Sequence, residues 1–211
     1  MKQSIAVDAV KLTTSKIITM IISMLSAMLL SRFRTLAEYG TYSQLLLVID
    51  LVTTIFMLGL PNSINFFLAR ADNEKEKCKF LSVYYSLSTF LGLFIGIILV
   101  LSISVITNYF RNPLIKNYLY FLAVYPWSNI ILSSIENVLI VYQRTDLLIV
   151  FRIMNSISLL FILIIVQILG LGFSEYMILF VFIEASFALS VYYIVDKLSN
   201  GLFIGIDIGL I

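Results

Sequence analysis

Charged residues along the chain fall in short clusters, and between them run six apolar stretches, approximately 12–31, 39–60, 80–107, 117–141, 147–169 and 176–195. A bilayer's hydrocarbon core is about 30 Å thick and takes about 20 helical residues to cross, so each stretch is long enough to span it. Within hydrocarbon only helices and closed barrels satisfy every backbone N–H and C=O. These runs lack the roughly ten-residue alternating segments of barrel strands. The pattern therefore predicts an all-α integral membrane protein: a bundle of about six transmembrane helices over residues 1–197, joined by short connections. The remaining LSNGLFIGIDIGLI, 198–211, is apolar but too short to cross. Asp207 interrupts its apolar face and it has no basic residue for headgroups, so it reads as the start of a truncated seventh helix and less well as an interfacial one.

Composition strengthens the membrane reading. Of 211 residues, 61% are hydrophobic and 12% charged, more apolar surface than a chain of this size can hide in one core. A net charge of +2 leaves no basic excess to neutralise a phosphate backbone, which excludes nucleic acid as a partner. The single cysteine, Cys78 in RADNEKEKCK, cannot form an internal disulfide and is given no role. With no histidine in the chain, the commonest metal ligand and general base is missing, so no metal, cofactor or catalytic residue is expected. With the N-terminus in the cytoplasm, that side would hold Lys2, Lys11, Lys16, Arg70, Lys75, Lys77, Lys79, Arg144, Arg152 and Lys197, against Arg32, Arg34, Arg111 and Lys116 outside. This excess predicts an N-terminus inside. No small-residue cleavage site follows the first stretch, which reads as a retained helix rather than a secretory signal.

Ionisable residues interrupt the stretches. Asp50 lies in the second, Glu136 in the fourth, Arg152 in the fifth and Glu184 in the sixth, with Lys16 near the inner end of the first. A charge at the centre of a membrane helix costs about 2.5 to 3.5 kcal/mol on insertion scales, so each needs a reason to persist. For Lys16 snorkelling to the headgroups is an adequate one. Positions four and seven apart share a helix face. On that spacing Ser43, Asp50, Thr54, Pro61 and Asn65 form one polar stripe. Asn129, Ser133, Glu136 and Gln143, beside Tyr125, form a second, and Lys16, Ser23, Ala27 and Arg34 a third. Thr145, Arg152 and Ser156 make the inner half of the fifth stretch polar. Glu184 has only apolar neighbours on its own helix, so it is either an isolated protonated acid or paired with another helix. Amide and hydroxyl glue between helices would explain stripes of polar residues, but full charges on several helices favour a wet cavity.

Backbone signals add a hinge. Gly59 and Pro61 in LGLPNSINFF should kink or interrupt the second helix, and Asn62 and Asn65 stand ready for the freed backbone groups. Gly92 and Gly96 in LGLFIGI form a small-xxx-small pattern that marks a packing helix. Pro113 reads as turn chemistry, and Pro126 with Trp127 as the outer part of the fourth helix, the indole at the membrane interface.

The segment SRFRTLAEYGTYSQLLLVIDLVTTIFMLGLPNSINFFLAR, Ser31 to Arg70, resembles the amino-terminal region of bacterial polysaccharide biosynthesis membrane proteins, the Wzx-type flippases. The likeness rests on the short outer loop, the E-Y/F-G-x-Y opening at Glu38 to Tyr42, and the G-L-P turn at Gly59 to Pro61. It implies one lobe of a two-lobed multidrug/oligosaccharidyl-lipid/polysaccharide exporter in the bacterial inner membrane. Such an exporter carries an undecaprenyl-diphosphate-linked oligosaccharide for O-antigen or capsule by alternating access, coupled to protons or sodium. The partners then expected are the lipid bilayer, the lipid-linked oligosaccharide and a C-terminal lobe. A sugar headgroup cannot shed its water into hydrocarbon, so the stripes would line its path. Lys16, Arg34 and Arg152 are the candidate partners of the diphosphate, with Asn62, Asn65 and Asn129 as further cavity residues. Asp50, Glu136 and Glu184 are the candidates for the coupling ion.

Other readings remain open at this stage: a small-solute or drug exporter of the same superfamily, an inactive amino-terminal fragment, a structural protein, or a membrane enzyme built on a carboxylate pair. The last finds no recognised signature in the sequence.

Overall fold

The computed structural model describes residues 5–57, 59–71 and 73–199; the proposed seventh-helix start lies outside the described residues. Eight α-helices and one 3-10 turn make up the regular structure there: α1 (Ile5–Phe33), α2 (Leu36–Met57), α3 (Leu60–Arg70), α4 (Glu74–Leu101), α5 (Ile103–Phe110), the 3-10 turn Pro113–Tyr118, α6 (Leu119–Val141), α7 (Thr145–Ile168) and α8 (Phe173–Leu198). The six predicted stretches correspond to α1, α2, α4 with α5, α6, α7 and α8. The chain is thus an all-α membrane bundle.

Local chemistry sets the helix ends. Thr35 and Glu38 form a reciprocal capping box at the start of α2, the Thr35 N–H donating to Glu38 Oε2 at 2.9 Å and the Glu38 N–H donating to Thr35 Oγ1 at 3.3 Å. The Asn73 side chain accepts the Glu76 N–H at 2.9 Å to open α4, and that of Asn112 accepts the Leu114 N–H at 3.1 Å ahead of Pro113. Gly59 adopts φ +78°, the left-handed region that favours glycine, and caps α3 with Pro61 in its first turn. The second apolar stretch is accordingly interrupted, and the stripe read through Pro61 and Asn65 changes helix at Gly59. The third stretch is likewise divided at Ser102, between α4 and α5.

Five helices, α1, α2, α4, α7 and α8, are long and apolar enough to cross a membrane. The 23-residue α6 is not among them, because it carries Ser128, Asn129, Ser133, Ser134, Glu136 and Asn137. Its position accounts for that polarity: α6 packs against α2, α3, α4, α7 and α8, which bury Ser128 and Ser134, while Ser133 and Glu136 open into a groove between helices. Gly92 and Gly96 bring α4 onto it, for a Cβ at Gly92 would stand 2.6 Å from Trp127 Cα, and one at Gly96 would strike the Ala123 carbonyl. Tyr85 and Ser134 hydroxyls meet at 2.9 Å across the same seam. Trp127, in the first half of α6, stacks on Tyr192 of α8 and donates from Nε1 to its hydroxyl at 3.3 Å.

Two apolar clusters fill the bundle, one toward each end. Between them lies a belt of buried polar groups, Ser88, Ser128, Ser134 and Glu184. In contrast, α1 packs along α7 and scarcely touches α2, to which a two-residue link joins it. The two helices diverge and leave a groove floored by α6, α7 and α8.

Candidate functional site

The groove holds two cavities. The near cavity, toward the end where the chain begins, has a volume of about 460 Å³ and is lined by Lys16, Thr19 and Ser23 of α1, Ser133 and Glu136 of α6, Arg152, Asn155 and Ser156 of α7, and Glu184 of α8, with Met20, Leu132, Ile135 and Phe151. The far cavity, about 270 Å³, takes its walls from α1, α2, α6, α7 and α8, and includes Tyr42, Tyr125, Tyr176, Phe180 and Glu184. Ser23, Asn155, Ser156 and Glu184 belong to both, so the cavities are adjoining parts of one groove.

Glu136 is the electrostatic centre of the near cavity. One of its oxygens pairs with Arg152 Nη2 in a short charge-assisted hydrogen bond, and the other faces Lys16 Nζ at 3.3 Å. Helical spacing accounts for the meeting: Lys16 and Ser23 on α1, Ser133 and Glu136 on α6, and Arg152 and Ser156 on α7 each lie three, four or seven residues apart and so share a face. Two cations face one carboxylate, and the match is incomplete. Arg152 Nη1 is buried without a hydrogen-bond partner, which leaves half of its guanidinium fork unmatched by Glu136. Lys16 keeps 62% of its side chain exposed. A second ion pair, Lys11 with Asp146 at 2.8 Å, ties the start of α1 to that of α7.

Glu184 is 6% exposed and sits at the junction of the cavities. Asn155 of α7 lines both cavities beside it. Asn155 was missed in the sequence although its spacing of three from Arg152 places it on the same face of α7.

The other candidates are placed elsewhere. Asp50 lines neither cavity. It accepts a hydrogen bond from Asn129 Nδ2 at 3.0 Å and, with Ser43 and Thr54, lies on a face of α2 that the described residues leave exposed. The opposite face of α2, through Leu45, Ile49 and Met57, is the buried one. Asn129 is thus engaged with Asp50 and not with the Glu136 cluster. Arg34, just beyond α1, donates from Nη2 to the Leu171 carbonyl at 3.1 Å and clasps the α7–α8 loop at the far end. The helix is interrupted at Gly59 and Pro61 as expected, but the groups that serve the break are not those expected. Asn137 of α6 donates to the Pro61 carbonyl at 2.8 Å and accepts from Asn65 Nδ2 at 3.1 Å. Asn62 is exposed and bonds back through its N–H to the Gly59 carbonyl at 2.9 Å. Gln143, the last residue of the α6 stripe, lies beyond the helix at φ +55°.

Five apolar helices, four of them packed on a sixth that carries several polar groups, with ionisable side chains gathered in a groove between them, define a multi-span integral membrane protein. The family model for the polysaccharide biosynthesis protein matches residues 5–204, and the chain belongs to that family. No curated protein and no solved structure matches it.

Proposed function

We propose that the chain is the charged lobe of a flippase that moves a polyprenyl-diphosphate-linked oligosaccharide across the bacterial inner membrane, for surface polysaccharide such as O-antigen or capsule, by alternating access. The observation that carries this reading is the Lys16–Glu136–Arg152 cluster on the wall of a membrane-embedded cavity. Membership of a polysaccharide biosynthesis family supports a saccharide cargo. A diphosphate needs donors and positive charge, and Lys16 with the half-matched guanidinium of Arg152 offers both. Glu136 then acts as an internal stand-in for the anion: it holds the two cations while the groove lacks a headgroup and yields them when one arrives. With the N-terminus cytoplasmic, the near cavity opens to the leaflet where such a lipid is loaded.

Glu184, at the meeting point of the cavities, is the proposed site of the coupling proton or sodium ion, ahead of Asp50. The exposed Ser43–Asp50–Thr54 face of α2 is too polar for acyl chains, and a second lobe, on the same or another polypeptide, is proposed to cover it. In cells whose surface polysaccharide depends on this protein, Arg152→Gln is expected to lower cell-surface polysaccharide at least tenfold, with lipid-linked precursor accumulating and the protein still in the membrane. Normal polysaccharide with normal membrane levels of the variant would contradict the proposal.

A further inference from the structure

The far cavity differs in chemistry from the near one. Lysine and arginine are absent from its lining, which combines aromatic rings and aliphatic side chains with the amide of Asn155, the hydroxyls of Ser23, Ser26 and Ser156 and the carboxyl of Glu184. The rings brace one another: Tyr42 meets Phe180 edge-on at 5.9 Å and 80°, and Tyr125 meets Phe180 at 5.5 Å. Ring contacts of this kind hold each side chain in one orientation and so present fixed π faces. In the same lining Asn155 carries both donors and an acceptor, Glu184 a carboxyl and Ser156 a hydroxyl.

Resting on the lipid-linked oligosaccharide reading above, we propose that the far cavity is a subsite for one sugar ring of the cargo, with Tyr42 and Tyr125, braced by the buried Phe180, as its stacking platform and Asn155, Ser156 and Glu184 as its hydroxyl partners. A pyranose has two kinds of surface. Its axial C–H bonds are weakly positive and are drawn to the negative face of an aromatic ring, while its equatorial hydroxyls need in-plane donors and acceptors. The far cavity has both in its lining.

Size and order agree. At about 270 Å³ the cavity lies at the small end of ligand sites, a size that suits a single hexose-sized ring. The cavities adjoin at Ser23, Asn155, Ser156 and Glu184, so a diphosphate held by Lys16 and Arg152 would carry its first sugar toward the aromatic rings. An organic cation would also meet π faces and a carboxyl there, but the cationic pair in the adjoining cavity opposes it, and it has no use for the amide and hydroxyls.

The test uses the 211-residue chain in nanodiscs and three soluble probes: the methyl β-glycosides of galactose and N-acetylglucosamine, inorganic pyrophosphate, and tetramethylammonium. Saturation-transfer NMR is expected to show contact with the ring protons of at least one glycoside. Tyr125→Leu, which removes the ring but keeps apolar volume, should weaken that signal at least fivefold. Tyr125→Phe should retain it, and so should Arg152→Gln. Circular dichroism reports whether each variant is folded, and Tyr42→Leu takes the place of Tyr125→Leu if the latter misfolds. Pyrophosphate, followed by phosphorus NMR, should show the reverse pattern, lost in Arg152→Gln and kept in Tyr125→Leu. If pyrophosphate binds through Arg152 while no glycoside depends on Tyr125 or Tyr42, the sugar subsite is wrong and the flippase reading stands. If only tetramethylammonium binds, through the same tyrosines, both fail.

Discussion

Glu136 balances two cations from two other helices, and the consequences of removing it separate structure from transport. In Glu136→Gln the Arg152 guanidinium loses its charged partner while still only 20% exposed, and Lys16 loses its counter-ion. Because the carboxylate is partly solvated, the loss of stability is expected to be about 1–2 kcal/mol, below that of a fully buried pair. Unfolding of the purified chain in mixed micelles measures it, and a stability equal to wild type would mean that the cluster is not coupled in the folded protein. Adding Arg152→Gln should recover part of the loss, since the uncompensated charge goes with it. Much of this site was legible from residues: Lys16, Glu136, Arg152 and Glu184 stand out because charge is expensive in an apolar stretch. Asn155 and the aromatic rings were not, because an asparagine or a tyrosine in a membrane helix carries no such cost signal. Asp50 was assigned to the same interior on charge, yet periodicity ranks faces within one helix and does not say which helices face one another.

At the scale of elements, the contact between α4 and α6 makes the sharpest forecast. Gly92→Ala places a methyl 2.6 Å from the Trp127 backbone, and separating the helices to admit it should cost about 1–3 kcal/mol. Gly40→Ala in α2 meets nothing within 4 Å and should instead stabilise by about 0.5–1 kcal/mol through helix propensity. Thermal unfolding of the two variants side by side checks the pair, and equal shifts would refute the close-packing account. Asn137→Ala leaves the Pro61 carbonyl and Asn65 without their partner. It should cost about 1–3 kcal/mol and speed amide exchange in α3 more than in α8, as followed by hydrogen exchange. The break at Gly59 was readable from Gly-Leu-Pro, but its support from α6 was not, because Asn137 lies 76 residues beyond Pro61 and nothing local joins them. Likewise α6 is the weakest membrane span by hydropathy for a reason that only the packed bundle shows: its polar side chains meet neighbouring helices or the groove between them.

For the whole molecule, the claim on which the function rests is that the charged faces of α1, α6, α7 and α8 border water within a membrane-embedded bundle. The six apolar stretches alone establish a helical membrane protein, whereas the groove arises because α1 leans on α7 and away from α2, a choice of partner that no local pattern encodes. Cys78 is the only cysteine in the chain, so a Cys78→Ser background permits single thiols to be placed at will. Cysteines at Ser133 and Ser156, inside the near cavity, are compared with cysteines at Phe90 and Ile97 on the exposed apolar face of α4. In membrane vesicles a charged, membrane-impermeant methanethiosulfonate should modify positions 133 and 156 at least tenfold faster than 90 and 97. Equal and negligible labelling at all four positions, from either side of the membrane, would contradict a water-filled groove and with it the translocation mechanism.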